Sequence, residues 1–232
     1  MSVDVLESDA SDEEKGKADQ RLAFLTPIAK AFLTETGFES ANLGLQIFGG
    51  HGFIQEWGME QNVRDCRISM LYEGTTGIQA LDLLGRKVVG SQGGLLRQFI
   101  AEIDDFCEQH KDNRNMANVV ATLQSQCNEW QRITTQITMR AMSDADEIGA
   151  ASVDYLMYSG YVVLAYMWAK ASATAQAALA KDDCTEREFY EAKIATSQFY
   201  FDKLLPRTHT FVATMDTGAV SLMALNAEHF SF

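Results

Sequence analysis

Apolar side chains recur at helical spacing through most of the chain, and the pattern begins near residue 22. Recurrence every three or four residues predicts helices with one buried face. The first predicted helix spans residues 22–36. Thr26-Pro27 can begin it afresh, because proline is favoured in a first turn, and Gly37 is expected to end it. The first two helical faces consist of Leu22, Leu25, Ile28, Ala29 and Phe32, and of Phe38, Ala41, Asn42, Leu45 and Phe48.

Glycines mark two interruptions in this helical pattern. Three of the four residues from Gly49 to Gly52 are glycine, which predicts a tight, exposed turn because glycines destabilise a helix. Further along, Thr76 and Gln79 have the spacing of a capping box at the start of a third helix. Three glycines within residues 90–94 follow that helix. We expect a boundary between two parts of the chain there.

The distal part of the chain repeats the helical pattern in longer runs. One uncharged stretch, residues 155–169, is 15 residues long. A membrane span needs roughly 18 or more apolar residues, so a buried bundle helix is the better interpretation. Helices are also expected at about 186–204 and 206–225, divided at Leu205-Pro206. Two further faces consist of Leu95, Leu96, Phe99, Ile100, Ile103 and Phe106, and of Met116, Val119, Val120, Leu123, Cys127, Trp130 and Ile137.

These patterns predict an all-α fold made of two helical bundles. The composition agrees, because only 2 of the 232 residues are proline. We expect an acidic, disordered lead-in at residues 1–21, one helical domain at 22–90 and a second at 95–232. Disorder is expected in the lead-in because residues 1–20 carry seven acidic residues against two lysines and few apolar residues.

Charge and cysteine usage narrow the classes of function. A net charge of −13 disfavours nucleic acid or an anionic membrane as a partner. The N-terminal stretch lacks the apolar region of a signal peptide. The four cysteines and four histidines are scattered, without the spacing of metal ligands. We therefore expect a cytoplasmic protein with reduced cysteines, without a metal site and without a membrane span.

Glu73 stands between Tyr72 and Gly74, immediately before the third helix. An acid in this position commonly offsets the helix dipole, which contributes ~0.3–1 kcal/mol. A carboxylate that follows the apolar run 68–71 can instead be shielded from water. Desolvation raises the pKa of a carboxyl group towards the value that a general base needs near neutral pH. The residues alone leave both interpretations open.

The glycine turn also has two interpretations. Gly49, Gly50 and Gly52 can form a simple connection between helices, or an open turn whose N–H groups approach a phosphate. A dinucleotide-binding fingerprint is excluded, because no predicted strand precedes the glycines and their spacing is different.

The segment GLQIFGGHGFIQEWGMEQNVRDCRISMLYEGTTGIQALDLLGRKV, residues 44–88, closely resembles the C-terminal domain of the acyl-CoA dehydrogenases. It contains the Q-x-x-G-G-x-G-[YF] turn, the R-D-x-[RK] motif and the Y-E-G-T motif of that family, in order and at family spacing. The longer Y-E-G-T segment is similar to the larger bacterial branch that acts on long-chain or methylthioalkanoyl-CoA thioesters. The distal segments YLMYSGYVVLAYMWAKAS and FYFDKLLPRTHTF resemble the additional C-terminal helical domain of that branch. The resemblance runs from about residue 22 to the end.

The resemblance implies a role for each matching residue. Glu73 would remove the pro-R α-proton of an acyl-CoA thioester, and a hydride would leave the β-carbon for N5 of FAD, giving a trans-2-enoyl-CoA. Gly74 would lie against the thioester, and the Glu73 N–H would help to hold its oxygen. Gly77 offers only a backbone contact where many relatives carry glutamine. The implied FAD contacts are Gln46, Ile47, Phe48, Gly49 and Gly50, towards the FAD of a neighbouring subunit, and Thr75 and Gly77 beside the base.

The family resemblance also implies partners and missing parts. Members are homo-oligomers, dimers or tetramers, and an electron-transfer flavoprotein is the expected electron acceptor. They carry an N-terminal helical domain and a middle β-domain that supply most flavin and CoA contacts. The chain is therefore expected to be part of a longer or assembled enzyme and inactive alone. The open alternatives are an acyl-CoA oxidase, and a non-catalytic helical assembly module that lacks the flavin-binding β-domain.

Overall fold

The chain folds into helices joined by short turns. The structure, a computed structural model, describes residues 2–231, and no strand occurs among them. The predicted all-α fold class is confirmed. Met1 and Phe232, the outer ends of two predicted segments, lie outside the described residues. The chain divides between Leu95 and Leu96 into two compact units, which are described separately.

The first unit is built along one long helix. Its helices are α1 (Ser2–Glu7), α2 (Asp12–Ile47), α3 (Gly50–Phe53), α4 (Met59–Ile68) and α5 (Thr76–Leu81). A single 3₁₀ turn, Gln55–Trp57, precedes α4, and α5 continues as a π-helical segment, Asp82–Val89. Both α4 and α5 pack against α2.

The acidic N-terminal stretch begins a helix, whereas the sequence predicted disorder over residues 1–21. The Ser11 side chain accepts a hydrogen bond from the Glu14 N–H, and the Glu14 carboxylate accepts one from the Ser11 N–H. This capping box satisfies two N–H groups that the first turn leaves without partners. Asp12, Glu13 and Glu14 also lie at the positive end of the helix dipole, where negative charge is favourable.

Helix α2 also continues through the residues that were expected to start and end it. Pro27 lies inside α2 and is buried, although it has no N–H to donate to the preceding turn. Gly37 lowers the stability of an exposed helix interior by only about 1 kcal/mol relative to alanine. Buried neighbours such as Phe24, Ile28 and Phe32 hold the helix together across Pro27. Beyond Gly37, α2 packs against α4, where Arg67 lies over the Phe38 ring at 5.5 Å. The predicted helix at 22–36 was therefore wrong in its bounds.

The second unit is a bundle packed around one long helix, α8. Its helices are α6 (Gly94–His110), α7 (Ala117–Ala141), α8 (Asp146–Leu179), α9 (Arg187–Phe199) and α10 (Thr208–Asp216). The predicted faces of α6 and α7 are buried, apart from half-buried Leu95. Trp130 is fully buried at their centre and makes edge-to-face contacts with Phe99 and Tyr158, at centroid distances of 6.3 and 6.2 Å.

The uncharged stretch at residues 155–169 lies within α8, which is long and apolar enough to cross a membrane. The core helix of a soluble protein meets the same criteria, and 56% of the apolar window is buried within the structure. The Tyr155 hydroxyl pairs with the Thr134 hydroxyl at 2.7 Å, and the Tyr158 hydroxyl donates to the Gln126 carbonyl at 2.8 Å. Helix α7 thus satisfies two polar groups of α8, as expected for a helix in a bundle core.

The helix predicted at about 186–204 is present, but the last helix is shorter than predicted. Helix α9 continues as a π-helical segment, Tyr200–Leu204, and a 3₁₀ turn, Leu205–Arg207, follows. Helix α10 then ends at Asp216, nine residues before the predicted end. Gly218, with a φ of 71°, follows the C-cap Thr217 and ends the helix, and a buried carboxylate holds the chain beyond it. Glu147, 6% exposed, accepts hydrogen bonds from Arg140 Nε at 2.9 Å and from the Ala219 N–H at 3.0 Å.

The buried cysteines allow a test of the second unit. All four cysteines are free; Cys107 and Cys127 are buried, whereas Cys66 and Cys184 are half-buried. Burial raises the pKa of the Cys107 thiol to about 11 and that of the Cys127 thiol to about 12. Only a thiolate reacts rapidly with an alkylating reagent. We expect iodoacetamide at pH 8 to modify Cys66 and Cys184 first, as measured by peptide mass spectrometry.

The control for this experiment is the unfolded chain, in which all four thiols should react alike. Rapid labelling of Cys107 or Cys127 in the folded chain would contradict the packing of α6 against α7.

Candidate active site

The Y-E-G-T turn connects α4 to α5 and has an unusual backbone. Glu73 has a φ of 54° and Gly74 has a φ of 93°. Positive φ is ordinary for glycine, but for glutamate it costs of order 1–3 kcal/mol. Such a conformation persists only where neighbouring groups hold it in place. The contacts around Glu73 therefore decide whether the turn is well defined.

Three side chains hold this turn. Lys30 Nζ on α2 donates a hydrogen bond to the Gly74 carbonyl at 2.5 Å. The Thr76 hydroxyl donates to Glu35 Oε1 on α2, also at 2.5 Å. Gln79 Nε2 on α5 donates to the Glu73 carbonyl at 3.3 Å. Residues 73, 74 and 76 are thus each fixed by a side chain from a helix.

The predicted capping box at Thr76 and Gln79 was wrong. The N-cap of α5 is Thr75, and its side chain makes no capping hydrogen bond. The Thr76 hydroxyl donates its hydrogen bond to Glu35, and the Gln79 amide donates to the carbonyl of Glu73. Thr76 and Gln79 therefore form hydrogen bonds that hold the turn, instead of capping α5.

Glu73 is exposed in this chain, so the described residues do not provide the shielding from water that one interpretation required. Five apolar residues close to the turn in sequence are also exposed: Ile68, Leu71, Tyr72, Ile78 and Leu81. A contiguous exposed apolar patch marks a place where a ligand or another part of a protein binds.

The second group of predicted site residues lies at the end of α2. Ile47 and Phe48 are 85% and 58% exposed, and Gln46, Gly49 and Gly50 are also exposed. Gly49 has a φ of 58°, which turns the chain out of α2. The expected glycine turn is therefore present and exposed, but residues 50–53 add one helical turn that was not predicted.

Gly52 explains why a glycine is needed in that helical turn. A Cβ at this position would lie 2.3 Å from the Leu45 carbonyl oxygen, which is closer than any real contact. The buried Gly52 backbone thus packs directly against α2.

The structure does not bring the two groups of predicted residues together within the first unit. Thr75 and Gly77 lie close to Glu73 in the chain. This turn contacts α2 at Lys30 and Glu35. Gln46 is 11 residues beyond Glu35 and 16 beyond Lys30 on the same helix. A rise of 1.5 Å per residue makes the axial separation ~17–24 Å.

Lys30 and Glu35 were not identified by the sequence analysis. They are 44 and 41 residues from their partners, and no motif links residues so far apart. A weaker signal was available, because two charged residues flank the apolar positions Ala31 and Phe32 of α2. A half-buried charge needs a partner, but the sequence does not say which.

Comparison with known proteins identifies the family. The model described as "Acyl-CoA dehydrogenase, C-terminal domain" matches residues 8–88, and the model described as "Acetyl-CoA dehydrogenase C-terminal like" matches residues 99–226. The first match ends before the division at Leu95, and the second begins after it. The chain belongs to the acyl-CoA dehydrogenase family.

Similar proteins confirm the expected branch. The 3-methylmercaptopropionyl-CoA dehydrogenase of Ruegeria pomeroyi is 36% identical over 84% of this chain and 33% of its own length. The broad-specificity linear acyl-CoA dehydrogenase FadE5 of Mycobacterium tuberculosis is 32% identical over 85% of this chain and 34% of its own. A butyryl-CoA dehydrogenase of Syntrophomonas wolfei is 26% identical over 97% of this chain and 37% of its own length. The chain spans about a third of the length of these relatives.

Proposed function

We propose that this chain is the C-terminal part of a flavin-dependent acyl-CoA dehydrogenase that converts an acyl-CoA thioester to a trans-2-enoyl-CoA, with Glu73 as the base. The observation that carries the proposal is the left-handed backbone of Glu73, held by contacts to α2 and α5. Glu73 lies two residues before the N-cap Thr75, outside the first turn of α5. An acid that only offset the helix dipole would not need a strained backbone.

In this proposal the Y-E-G-T turn removes a proton and stabilises the charge that develops. The Glu73 carboxylate takes the α-proton, and the electrons of that C–H bond move towards the thioester carbonyl. In the part of the chain that the structure describes, the Glu73 N–H donates no hydrogen bond, so it is free to donate to the thioester oxygen. Gly74 would lie against the thioester, and its φ of 93° and the Gln79 amide, 2.6 Å from where a Cβ would stand, both favour glycine at this position. When bound, FAD supplies the acceptor for the hydride from the β-carbon.

The residues predicted to contact FAD fit an edge of a cofactor site. Ile47 and Phe48 offer exposed apolar surface, and a Cβ on Gly49, Gly50 or Gly77 would meet no atom within 4 Å. The backbone at these glycines is therefore open to a ligand. Gln46 lies ~17–24 Å along α2 from the level of the base, so the two groups would not contact the same part of a flavin. In the proposed homo-oligomer, the α2 end would contact the FAD of a neighbouring subunit.

Further parts of the proposal concern partners and location. Membership of the acyl-CoA dehydrogenase family supports an acyl-CoA as the substrate. We propose an electron-transfer flavoprotein as the electron acceptor. The net charge of −13 supports a protein that does not bind nucleic acid. Burial of 56% of the apolar window of α8 supports a bundle helix instead of a membrane span. We place the enzyme in the cytoplasm.

The proposed reaction is tested with the full-length enzyme, an acyl-CoA and an electron-accepting dye. We expect dye reduction and a trans-2-enoyl-CoA product, without stoichiometric hydrogen peroxide. Peroxide formed in step with product, without a dye, would favour an oxidase instead. An absence of both products from the flavin-loaded enzyme would favour a helical assembly module.

A further prediction concerns the isolated chain. Purified residues 1–232 should be colourless and should not reduce an acceptor dye in the presence of acyl-CoA. The described residues offer only an edge of the flavin site, and a partial site loses most of the binding energy. Visible absorbance of the protein measures bound flavin, and the full-length enzyme is the positive control. A yellow preparation with one flavin per chain would contradict this account.

A further inference from the structure

Two charged side chains of α2, those of Lys30 and Glu35, are half-buried and form hydrogen bonds with the turn that contains Glu73. Among residues 2–231, neither Lys30 nor Glu35 forms an ion pair. Partial burial of a charge without compensation is unfavourable. Their hydrogen bonds go to the Gly74 carbonyl and to the Thr76 hydroxyl. Both charged groups therefore act on the backbone or hydroxyl of the turn instead of on each other.

We infer that Lys30 and Glu35 are positioning residues, which hold the Glu73 carboxylate where it can reach the α-carbon of the acyl thioester. The inference rests on the proposed function of Glu73 as the base. Hydrogen bonds with one charged partner are stronger than neutral ones. The ammonium of Lys30 fixes the Gly74–Thr75 peptide, and the carboxylate of Glu35 fixes Thr76 at the start of α5.

The backbone of Glu73 shows why such restraint matters. Its φ of 54° would relax towards the ordinary negative range, near −60°, if the turn were released. That change is a rotation of roughly 110° about the N–Cα bond, which would swing the side chain away. A displacement of a catalytic group by 1 Å can lower a rate by ~10²-fold. Lys30 and Glu35 would thus affect the reaction without touching the substrate.

The test isolates the proton step from the hydride step. An acyl-CoA that has α-hydrogens but no β-hydrogen cannot be dehydrogenated, although its α-hydrogens can exchange with solvent. The full-length, flavin-loaded enzyme is incubated with this compound in D₂O, and mass spectrometry follows deuterium uptake at the α-carbon. Lys30→Met should lower the exchange rate by ~10–10²-fold. Lys30→Arg, which keeps a cationic donor, should restore most of it.

A second variant covers the possibility that Lys30→Met does not fold. Thr76→Val removes the hydrogen bond to Glu35 with little change of shape, and it should lower exchange as Lys30→Met does. Lys17→Met is the matched control, because Lys17 lies on α2 but pairs only with exposed Glu13. This control should exchange at the wild-type rate. Flavin content and the thermal midpoint of each variant are measured in parallel.

The outcomes separate this inference from the proposed function. Exchange at the wild-type rate in Glu73→Gln would overturn the assignment of the base, and the positioning role with it. Loss of exchange in Glu73→Gln, but wild-type exchange in Lys30→Met and Thr76→Val, would overturn only the positioning role. Exchange that fell only together with flavin content and thermal midpoint would show a folding role and would also overturn the inference. Lower exchange in Lys30→Met with an unchanged midpoint, and no additional loss when combined with Glu73→Gln, would support it.

Discussion

Replacement of Glu73 by glutamine in the full-length enzyme is expected to lower turnover by ~10²–10⁴-fold, which is the typical effect of losing a general base. Glutamine keeps the size and shape of the side chain but cannot accept the α-proton. The substrate contacts in the ground state should remain, so the dissociation constant of the acyl-CoA should change little. Single-turnover measurement of flavin reduction, at several acyl-CoA concentrations, gives both quantities.

The matched control for this substitution is Glu56→Gln, at an exposed acid in the 3₁₀ turn before α4. It makes the same change of charge in the same unit and should leave turnover unchanged. Retention of more than about a tenth of the wild-type rate in Glu73→Gln would be incompatible with the loss expected for a base. Glu73 would then be an ordinary acid ahead of a helix.

Local patterns predicted the helices whose faces are continuous and apolar. Most of the buried faces of α6 and α7 were predicted, because a buried face at helical spacing is a local property of the sequence. Leu95 is only half-buried, and buried Cys107 and Ile133 were not predicted. The uncharged stretch within α8 was also placed in a helix. The segment that contains Glu73 and Gly49 was found by motif, since both lie in turns with diagnostic sequences.

Helix ends were predicted poorly where packing outweighs propensity. Pro27 and Gly37 are standard signals of a helix boundary, but α2 continues through both because it is packed against α4 and α5. The end of α10 carries a local signal, Gly218 with a φ of 71°, which the predicted end at 225 overlooked. The restraints on Glu73 have no such signal, since Lys30 lies 44 residues before Gly74. Such contacts come from the fold and have no local pattern.

Replacement of Trp130 by alanine is expected to destabilise the second unit by ~3–5 kcal/mol, because it removes a large, fully buried side chain and leaves a cavity. The indole packs edge-to-face against Phe99 of α6 and Tyr158 of α8, so both contacts would be lost together. Since single domains are stable by only about 5–15 kcal/mol, this loss is a large fraction of the total. Urea unfolding of residues 1–232, followed by circular dichroism, measures it.

Trp168→Ala is the matched control, because Trp168 lies on α8 in the same unit but is only half-buried. Its removal takes less surface out of the core and leaves no closed cavity, so its cost should be clearly smaller. Trp130→Phe keeps an aromatic ring in place and should recover part of the loss. A cost below about 1 kcal/mol for Trp130→Ala would contradict a packed core at the junction of α6, α7 and α8, since such small effects are typical of surface positions.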